Sequence, residues 1–239
     1  KSTTSAVWGV AYYIISSVNN VLANLEGKGD PQDLNNLKAE CLFLRALSHF
    51  DLVRTYAQPY CFTKDASHLG VPVILAPQDP TDMPVRETVA RVYEQIIADL
   101  TEAESIIAPD YKRAGAKNPA SVVSKEAAQA LLSRVYLYME NWEKAAEYAT
   151  KVIDSKKYTM WTVEDLTDSE CFREDGRSSG EVIFEVYGAL SESYGGGNEG
   201  ICSMTSKNKY GDGGASTDLI KLYEAGDVRG TLFQKEKDE

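Results

Sequence analysis

Apolar residues recur at steps of three and four positions in five long stretches of the chain. This spacing collects them on one face of an α-helix, so each stretch is predicted to be helical. Gly27 and Gly29 mark the end of the first helix, and Pro31 after Asp30 is typical of the start of the second. The five predicted helices cover residues 4–25, 31–56, 89–107, 125–139 and 142–156.

The last part of the chain differs in composition from the first. All eight prolines precede residue 120, and five of them lie between positions 59 and 84, whereas twelve of the 17 glycines lie from Gly176 onward. Residues 181–186 alternate weakly between apolar and polar, which predicts a short strand, and residues 217–224 predict a short helix. We therefore expect a helical domain over residues 1–175 and a loop-rich segment over residues 176–239.

Residues 125–156 match a known helical repeat. A two-residue connection, Glu140 and Asn141, forces the two predicted helices to pack antiparallel. In a tetratricopeptide unit small residues let the helices approach closely and aromatic residues fill the gaps between helix pairs. The residues at the matching offsets are Leu132, Ser133, Tyr136, Trp142, Ala145, Ala149 and Val152. Because a single repeat cannot bury its apolar face alone, the earlier helices must pack beside it. The predicted fold class is mainly α, with tetratricopeptide-like helical hairpins, long irregular loops and a little β.

The charge balance narrows the classes of partner. The 239-residue chain carries 36 acidic and 25 basic residues, a formal net charge of −11. A nucleic-acid-binding protein needs a basic face that displaces counterions from phosphates, and electrostatic docking on anionic lipid needs the same sign of charge. The acidic balance therefore argues against both, and no nucleic-acid partner is predicted.

Catalytic and metal-binding motifs are absent from the sequence. The four cysteines, at positions 41, 61, 171 and 202, form no C-x-x-C pair, and the chain has only two histidines, which argues against a zinc site. No metalloprotease, nucleophile-elbow or phosphate-loop motif is present. We therefore predict no catalytic residue, no metal and no cofactor, and we expect that the protein is not an enzyme.

Polar and ionisable residues within the predicted helices are assigned structural roles. His49 is expected to be packed or at the surface rather than a catalytic base, because no Ser or Cys partner suggests itself. Cys41 lies among leucines and is expected to be a small buried hydrophobe. Three arginines on otherwise apolar helices are expected to form ion pairs between helices. These are Arg45, Arg54 and Arg134, and their expected partners are Asp51, Asp99 or Glu126.

Aromatic residues in the predicted loops are the candidates for ligand binding. An aromatic ring can stack on the C–H face of a sugar while nearby amides and acids hydrogen bond its hydroxyl groups. The alternative interpretation is that these rings pin long loops onto the helical body. The candidate ligand-binding residues are Tyr60, Phe62, Trp161, Tyr194, Asn198 and Tyr210.

Six segments, in sequence order, resemble the SusD/RagB family of Bacteroidetes outer-membrane nutrient-binding lipoproteins. The first contains AECLFLRA at residues 39–46 and HFDLVR at residues 49–54, which are similar to two runs in a helix of that family. GVPVIL at residues 70–75 resembles the start of the family's long connection. The remaining segments are residues 86–103, residues 127–138 with 149–153, residues 181–185 and residues 226–229. Together the six segments are distributed along most of the chain, from residue 39 to residue 229.

This resemblance implies a tetratricopeptide-like scaffold whose irregular loops hold the ligand. It implies non-catalytic binding of an oligosaccharide at the cell surface, less often of a peptide, and delivery to a SusC-like TonB-dependent transporter. It also implies an outward-facing outer-membrane lipoprotein, attached through a lipid anchor that is absent from this chain. Residues 176–239 would begin the family's second, ligand-contacting region, so we expect the chain to be an internal part of a longer protein.

A tetratricopeptide adaptor, which binds a partner's peptide in a concave groove, is the alternative function from a different class. Arrays of this kind repeat at a constant spacing of about 34 residues. Here the hairpin signature occurs clearly once, and a Pro-rich connection of about 30 residues interrupts the helices. These features favour glycan binding over the adaptor. Catalysis by a pair of carboxylates, as in glycosidases, is the third and least favoured hypothesis.

Overall fold

The computed structural model describes residues 3–116, 118–167, 180–186 and 213–232. The chain divides into two compact units, Lys1–Tyr158 and Thr159–Glu239. The first unit contains the long helices, and the described part of the second contains only short ones. The expected domain boundary between residues 175 and 176 lies outside the described residues and stays a prediction.

All five predicted long helices are confirmed, with ends within three residues of those expected. They are α1 (Thr3–Leu22), α2 (Pro31–Tyr56), α3 (Val89–Ile106), α4 (Lys125–Tyr138) and α5 (Trp142–Asp154). Short 3-10 helices, Tyr60–Phe62 and Pro119–Ser121, lie in the connections of the first unit. The described part of the second unit contains α6 (Val163–Thr167), α7 (Thr217–Lys221) and a 3-10 helix, Val228–Leu232. The mainly α fold class is therefore confirmed.

The starts of four long helices are encoded by polar N-cap residues. The side chain of Asp30 accepts hydrogen bonds from the N–H groups of the first turn of α2, and Thr88 does the same for α3. Ser124 and Asn141 cap α4 and α5 in the same way. Each cap satisfies backbone donors that have no partner inside the helix, typically stabilising the helix by about 1 kcal/mol.

Helices of the first unit pack in chain order. α1 packs on α2, α2 on α3, α3 on α4 and α4 on α5. α2 is buried on most of its surface, because α1, α3 and the connection over residues 57–88 all contact it. The largest fully buried side chains include Phe50, Ile15, Leu52, Ile96, Leu100 and Leu132. α2 is therefore the central element of the unit.

α4 and α5 form the expected antiparallel hairpin, joined by residues 139–141. The hydroxyl of Ser133 donates a hydrogen bond to the carbonyl of Ala145 over 2.8 Å, so the two helix backbones lie close together. The rings of Tyr136 and Tyr148 stack with their centroids 5.7 Å apart. Glu140 closes the turn with φ at +57°, in the left-handed region that favours glycine. The hairpin has the close approach expected of a tetratricopeptide unit.

A buried ion pair joins α2 to α3. The guanidinium of Arg45 donates two hydrogen bonds to the carboxylate of Asp99, over 2.8 and 2.7 Å. A third nitrogen donates to the side-chain oxygen of Asn19 on α1 and to the carbonyl of Leu75 in the 57–88 connection. The two charged side chains are only 8% and 3% exposed. This confirms the expected interhelix pair for Arg45.

The other expected ion pairs between helices are wrong. Arg54 pairs with Asp51 of its own helix, one turn away, because that carboxylate is already within reach of the guanidinium. Arg134 forms a hydrogen bond within α4. Glu126 pairs with Lys157, which follows α5, over 3.1 Å.

The strand predicted over residues 181–186 is not formed. These residues lie outside any strand or helix. The β pairing that the described residues do contain is an isolated antiparallel bridge between Leu69 and Thr88, at the two ends of the loop 69–88. Alternation alone therefore did not identify a strand here.

His49 and Cys41 are both buried on α2; burial is predicted for Cys41, whereas His49 is predicted to be either packed or at the surface. Cys41 is buried. The ring of His49 is fully buried, with Nδ1 3.0 Å from the Arg45 carbonyl. Its Nε2 accepts the backbone N–H of Ile74 over 3.3 Å. Both nitrogens are satisfied by a neutral ring protonated at Nδ1, and burial lowers the pKa of His49 to about 4.

Replacement of Asp99 with asparagine leaves the Arg45 guanidinium buried without its counter-charge. We expect the free energy of unfolding of the first unit to fall by about 3–5 kcal/mol, as is usual when one partner of a buried ion pair is removed. Urea titration followed by far-UV circular dichroism measures this change. Glu147→Gln, which removes the exposed pair with Lys144, is the control and should leave the urea midpoint nearly unchanged. A loss for Asp99→Asn no larger than that of the control would contradict the prediction.

Acid should destabilise the first unit through His49. The unfolded chain takes up this proton with the ordinary pKa of about 6.5, whereas the folded chain resists protonation down to a pKa of about 4. The stability therefore falls as the pH drops from about 7 towards 4, by about 3 kcal/mol in total. Urea titrations of the wild type and of His49→Gln, each at about pH 7 and about pH 4, test this. The variant should lose less stability between the two pH values, and an equal loss in both proteins would exclude His49 as the cause.

Candidate functional site

Tyr60 and Phe62 lie on a short 3-10 helix that follows α2 directly. The ring of Tyr60 packs edge-on against the buried ring of Tyr93 on α3, with the centroids 4.9 Å apart. The ring of Phe62 meets the imidazole of His68 edge-on, at 5.3 Å. Between them, the thiol of Cys61 lies 3.8 Å from the carbonyl of Met139 at the end of α4. The 3-10 helix is thus attached to both α3 and the α4–α5 turn.

The two candidate rings differ in exposure. Tyr60 is half-buried, and burial raises the pKa of its hydroxyl. Phe62 is 62% exposed although its neighbours in the chain are fixed. The packing of Tyr60 fits the role of a ring that pins the loop, whereas the exposed ring of Phe62 is available for stacking.

Hydrogen bonds of His68 fix the backbone around Phe62. Nδ1 of His68 lies 2.8 Å from the hydroxyl of Thr63, and Nε2 lies 3.3 Å from the carbonyl of Gln58. These contacts close the segment from residue 58 to residue 68 into a small loop. The Phe62 ring therefore projects from a loop whose shape is defined before any ligand binds.

Arg54 lies at the C-terminal end of α2, between two aromatic rings. Its guanidinium carbon is 4.7 Å from the centroid of Phe50 and 5.2 Å from that of Tyr138. One nitrogen donates a hydrogen bond to the hydroxyl of Tyr138 over 3.1 Å. That hydrogen bond lowers the pKa of Tyr138, whose side chain is 43% exposed. Arg54 therefore holds a second exposed ring beside the α4–α5 turn.

Trp142 is a third exposed ring, which sequence reasoning did not select as a ligand-binding candidate. It is the first residue of α5, after the N-cap Asn141, and it is 62% exposed. The tetratricopeptide offset predicts that this ring fills a gap between helix pairs. Phe62 comes from one segment, and Tyr138 and Trp142 come from another; the two segments touch at Cys61 and Met139.

Trp161 lies in the second unit and is half-buried. Its backbone N–H lies 3.3 Å from the carboxylate of Glu181 and donates to it. The N–H of Thr159 donates to the carbonyl of Gly180, also over 3.3 Å. The ring of Trp161 therefore lies where two segments distant in the chain run side by side, residues 159–161 and 180–181.

The remaining predicted ligand-binding residues, Tyr194, Asn198 and Tyr210, lie outside the described residues and stay predictions. In the ranges that are described, no three His, Cys, Asp or Glu side chains are grouped so that they could hold a metal ion. Among the described helices, none has the length and apolar character needed to cross a membrane.

The described candidates share one kind of chemistry. They offer exposed or half-buried aromatic rings that are packed against neighbouring residues, with carboxylate and hydroxyl groups nearby. Rings of this kind bind the apolar C–H face of a ligand, and the adjacent oxygens accept hydrogen bonds from its hydroxyl groups. The arrangement therefore suits reversible binding of a polyhydroxylated ligand.

Comparison with protein families identifies a match over the first part of the chain. A SusD-like family model described as "Starch-binding associating with outer membrane" matches residues 1–137. A curated relative, SusD-like protein P2 of Formosa agariphila, is 29% identical over 238 residues, which cover 94% of this chain and 43% of that protein.

Solved structures of the same family have a similar fold. A SusD superfamily protein from Bacteroides vulgatus has a TM-score of 0.81 at 29% identity, over 97% of this chain and 52% of that one. A laminarin binding SusD-like protein has a TM-score of 0.57 at 26% identity, over 72% of this chain and 36% of that one. The chain thus spans about half the length of these relatives, or less. Since the family model covers more than half of the residues, the chain belongs to the SusD-like (SusD/RagB) family.

Proposed function

We propose that this chain is part of a non-catalytic protein that binds an oligosaccharide at the cell surface and delivers it to a TonB-dependent outer-membrane transporter. The observation that carries the proposal is the exposed ring of Phe62, presented on a defined loop of a SusD-like helical scaffold. Stacking on a ring that is already positioned costs little conformational entropy. Each such contact is weak, and weak contacts allow the ligand to be released to a transporter.

A glucan is the first ligand class to test. The matched family is described as starch-binding, and one structural neighbour is described as laminarin binding. Starch and laminarin are both glucose polymers, whose pyranose rings have C–H faces that stack on aromatic side chains. A peptide is the other ligand expected within the family, and it serves as the competing outcome in the same binding assay.

An outer-membrane location and a SusC-like partner complete the proposal. The family description places its members in association with the outer membrane. We propose that attachment occurs through a lipid anchor and that the protein faces outward, where it can pass ligand to the transporter. Binding without chemistry also means that the ligand leaves unchanged, so no turnover of glycosidase substrates is expected.

The Phe62→Ala variant should bind the retained glucan more weakly than the wild type. Loss of one stacking ring removes about 0.5–1.5 kcal/mol of binding free energy, which weakens binding roughly three- to tenfold. Affinity gel electrophoresis with soluble starch or laminarin in the gel measures the change. Tyr13→Ala is the matched control, because Tyr13 is an aromatic residue of the same unit that is 74% exposed on α1.

Three outcomes would contradict parts of this prediction. If both variants migrate like the wild type in a gel that retards it, Phe62 does not contact the glucan. If both lose binding equally, the effect is not specific to this loop. If the wild type is retarded by neither polysaccharide and binds a peptide library instead, the glycan assignment is wrong.

The gene beside the one for this protein should encode a large β-barrel transporter. Expressed together in their native host, the two proteins should purify together from detergent-solubilised outer membranes through a tag on either partner. Recovery of the untagged partner together with the tagged one supports the pairing. Absence of any transporter gene nearby, or purification of this protein alone under the same conditions, would contradict it.

A further inference from the structure

A glycine of the second unit lies directly against the ring of Trp161. A methyl group placed on Gly180 would lie 2.2 Å from Nε1, 2.7 Å from Cδ1 and 3.2 Å from Cε2 of the indole. Side-chain carbons essentially never approach other heavy atoms as closely as the first two distances. Any residue larger than glycine would therefore push the pyrrole part of the indole out of its position.

The backbone of Gly180 also requires glycine. Its φ of +100° lies in a region that side chains of L-residues rarely adopt. This conformation directs the glycine towards the indole while its carbonyl accepts the N–H of Thr159. The close approach and the backbone conformation are two independent reasons for the absence of a side chain at position 180.

Glu181 places a carboxylate next to the same ring. One of its oxygens accepts the N–H of Trp161 over 3.3 Å. An ionised carboxylate has two oxygens and about four lone-pair sites, so this contact leaves capacity for further hydrogen bonds. Trp161 as a whole residue retains some exposed surface, since it is only half-buried.

We propose that Trp161 and Glu181 form one sugar-binding subsite and that Gly180 is its positioning residue. The inference rests on the proposed function and names one ligand-binding site in the second unit. The indole stacks on the C–H face of one pyranose ring, and the free carboxylate lone pairs of Glu181 accept hydrogen bonds from its hydroxyl groups. Gly180 sets the orientation of the ring before the sugar arrives, which lowers the entropic cost of binding.

The position of the ring can be tested without any ligand. The chain has three tryptophans, so the Trp8→Phe/Trp142→Phe background leaves Trp161 as the single fluorescent reporter. In this background Gly180→Ala should shift the emission maximum to longer wavelength and increase quenching by acrylamide, because the indole is displaced towards solvent. Gly214→Ala is the matched control, since a methyl group there meets no atom within 4 Å, and its spectrum should not change. An unchanged spectrum for Gly180→Ala overturns the positioning role.

The binding experiment uses soluble starch and laminarin as probes, in affinity gels of the 239-residue chain. We expect Trp161→Ala, Gly180→Ala and Glu181→Gln each to weaken binding of the retained polysaccharide roughly three- to tenfold, and Gly214→Ala to have no effect. Gly180→Ala should add nothing in a Trp161→Ala background, because it acts through the ring. The retained polysaccharide should also protect Trp161 from acrylamide in the single-tryptophan protein.

The outcomes separate this inference from the proposed function. If a polysaccharide is retained and Phe62→Ala weakens binding while Trp161→Ala does not, the subsite is overturned and glycan binding stands. If Gly180→Ala weakens binding equally with and without the Trp161 ring, its positioning role is overturned. If neither polysaccharide retards the wild-type protein, the proposed function fails and the subsite fails with it, whatever the fluorescence of Gly180→Ala.

Discussion

The packing of the helices in the first unit depends on the buried ion pair between Arg45 and Asp99. Burial of two charges costs several kcal/mol for each ion, and only well-formed hydrogen bonds to every polar atom offset that cost. Here the carboxylate also accepts a hydrogen bond from Gln95, and the guanidinium reaches Asn19 and the carbonyl of Leu75. A shift of α3 by one residue along α2 would leave a charge unpaired in the interior. The pair therefore fixes how α2 and α3 lie against each other.

The same network positions residues 72–76 of the connection, which follow the candidate ligand-binding loop. The 57–88 connection has almost no regular structure, yet its backbone is bonded by side chains from two helices. Asn19 donates to the carbonyl of Ile74, whose N–H is accepted by His49, and the hydroxyl of Tyr12 donates to the carbonyl of Pro72. A connection anchored in this way behaves as part of the core.

The helices could be predicted from the sequence because their signals are local, whereas the site depends on contacts between distant residues. The apolar spacing is a pattern within each helix, and the N-cap residue comes directly before it. Even the one large difference, the end of α1 at Leu22 instead of residue 25, is only about one turn. Residues 181–186 have the alternation of a strand but do not form one, and no local pattern reveals that. The exposure of Trp142 depends on what packs beyond α5. The contact of Gly180 with Trp161 joins residues 19 positions apart, so it could not be read from either segment alone.

The two units present aromatic rings by different means. In the first unit, Phe62 is held by a neighbouring ring and by a loop that hydrogen bonds of His68 close. In the second unit, Trp161 is held by the absence of a side chain at Gly180, which lets the backbone reach the indole. Either arrangement fixes the ring before binding, so stacking costs little entropy while each contact stays weak. In the proposed function, such rings add weak contacts along a polymer, and the ligand is released when those contacts are lost one at a time. Binding of this kind fits the proposed delivery of the ligand to a transporter.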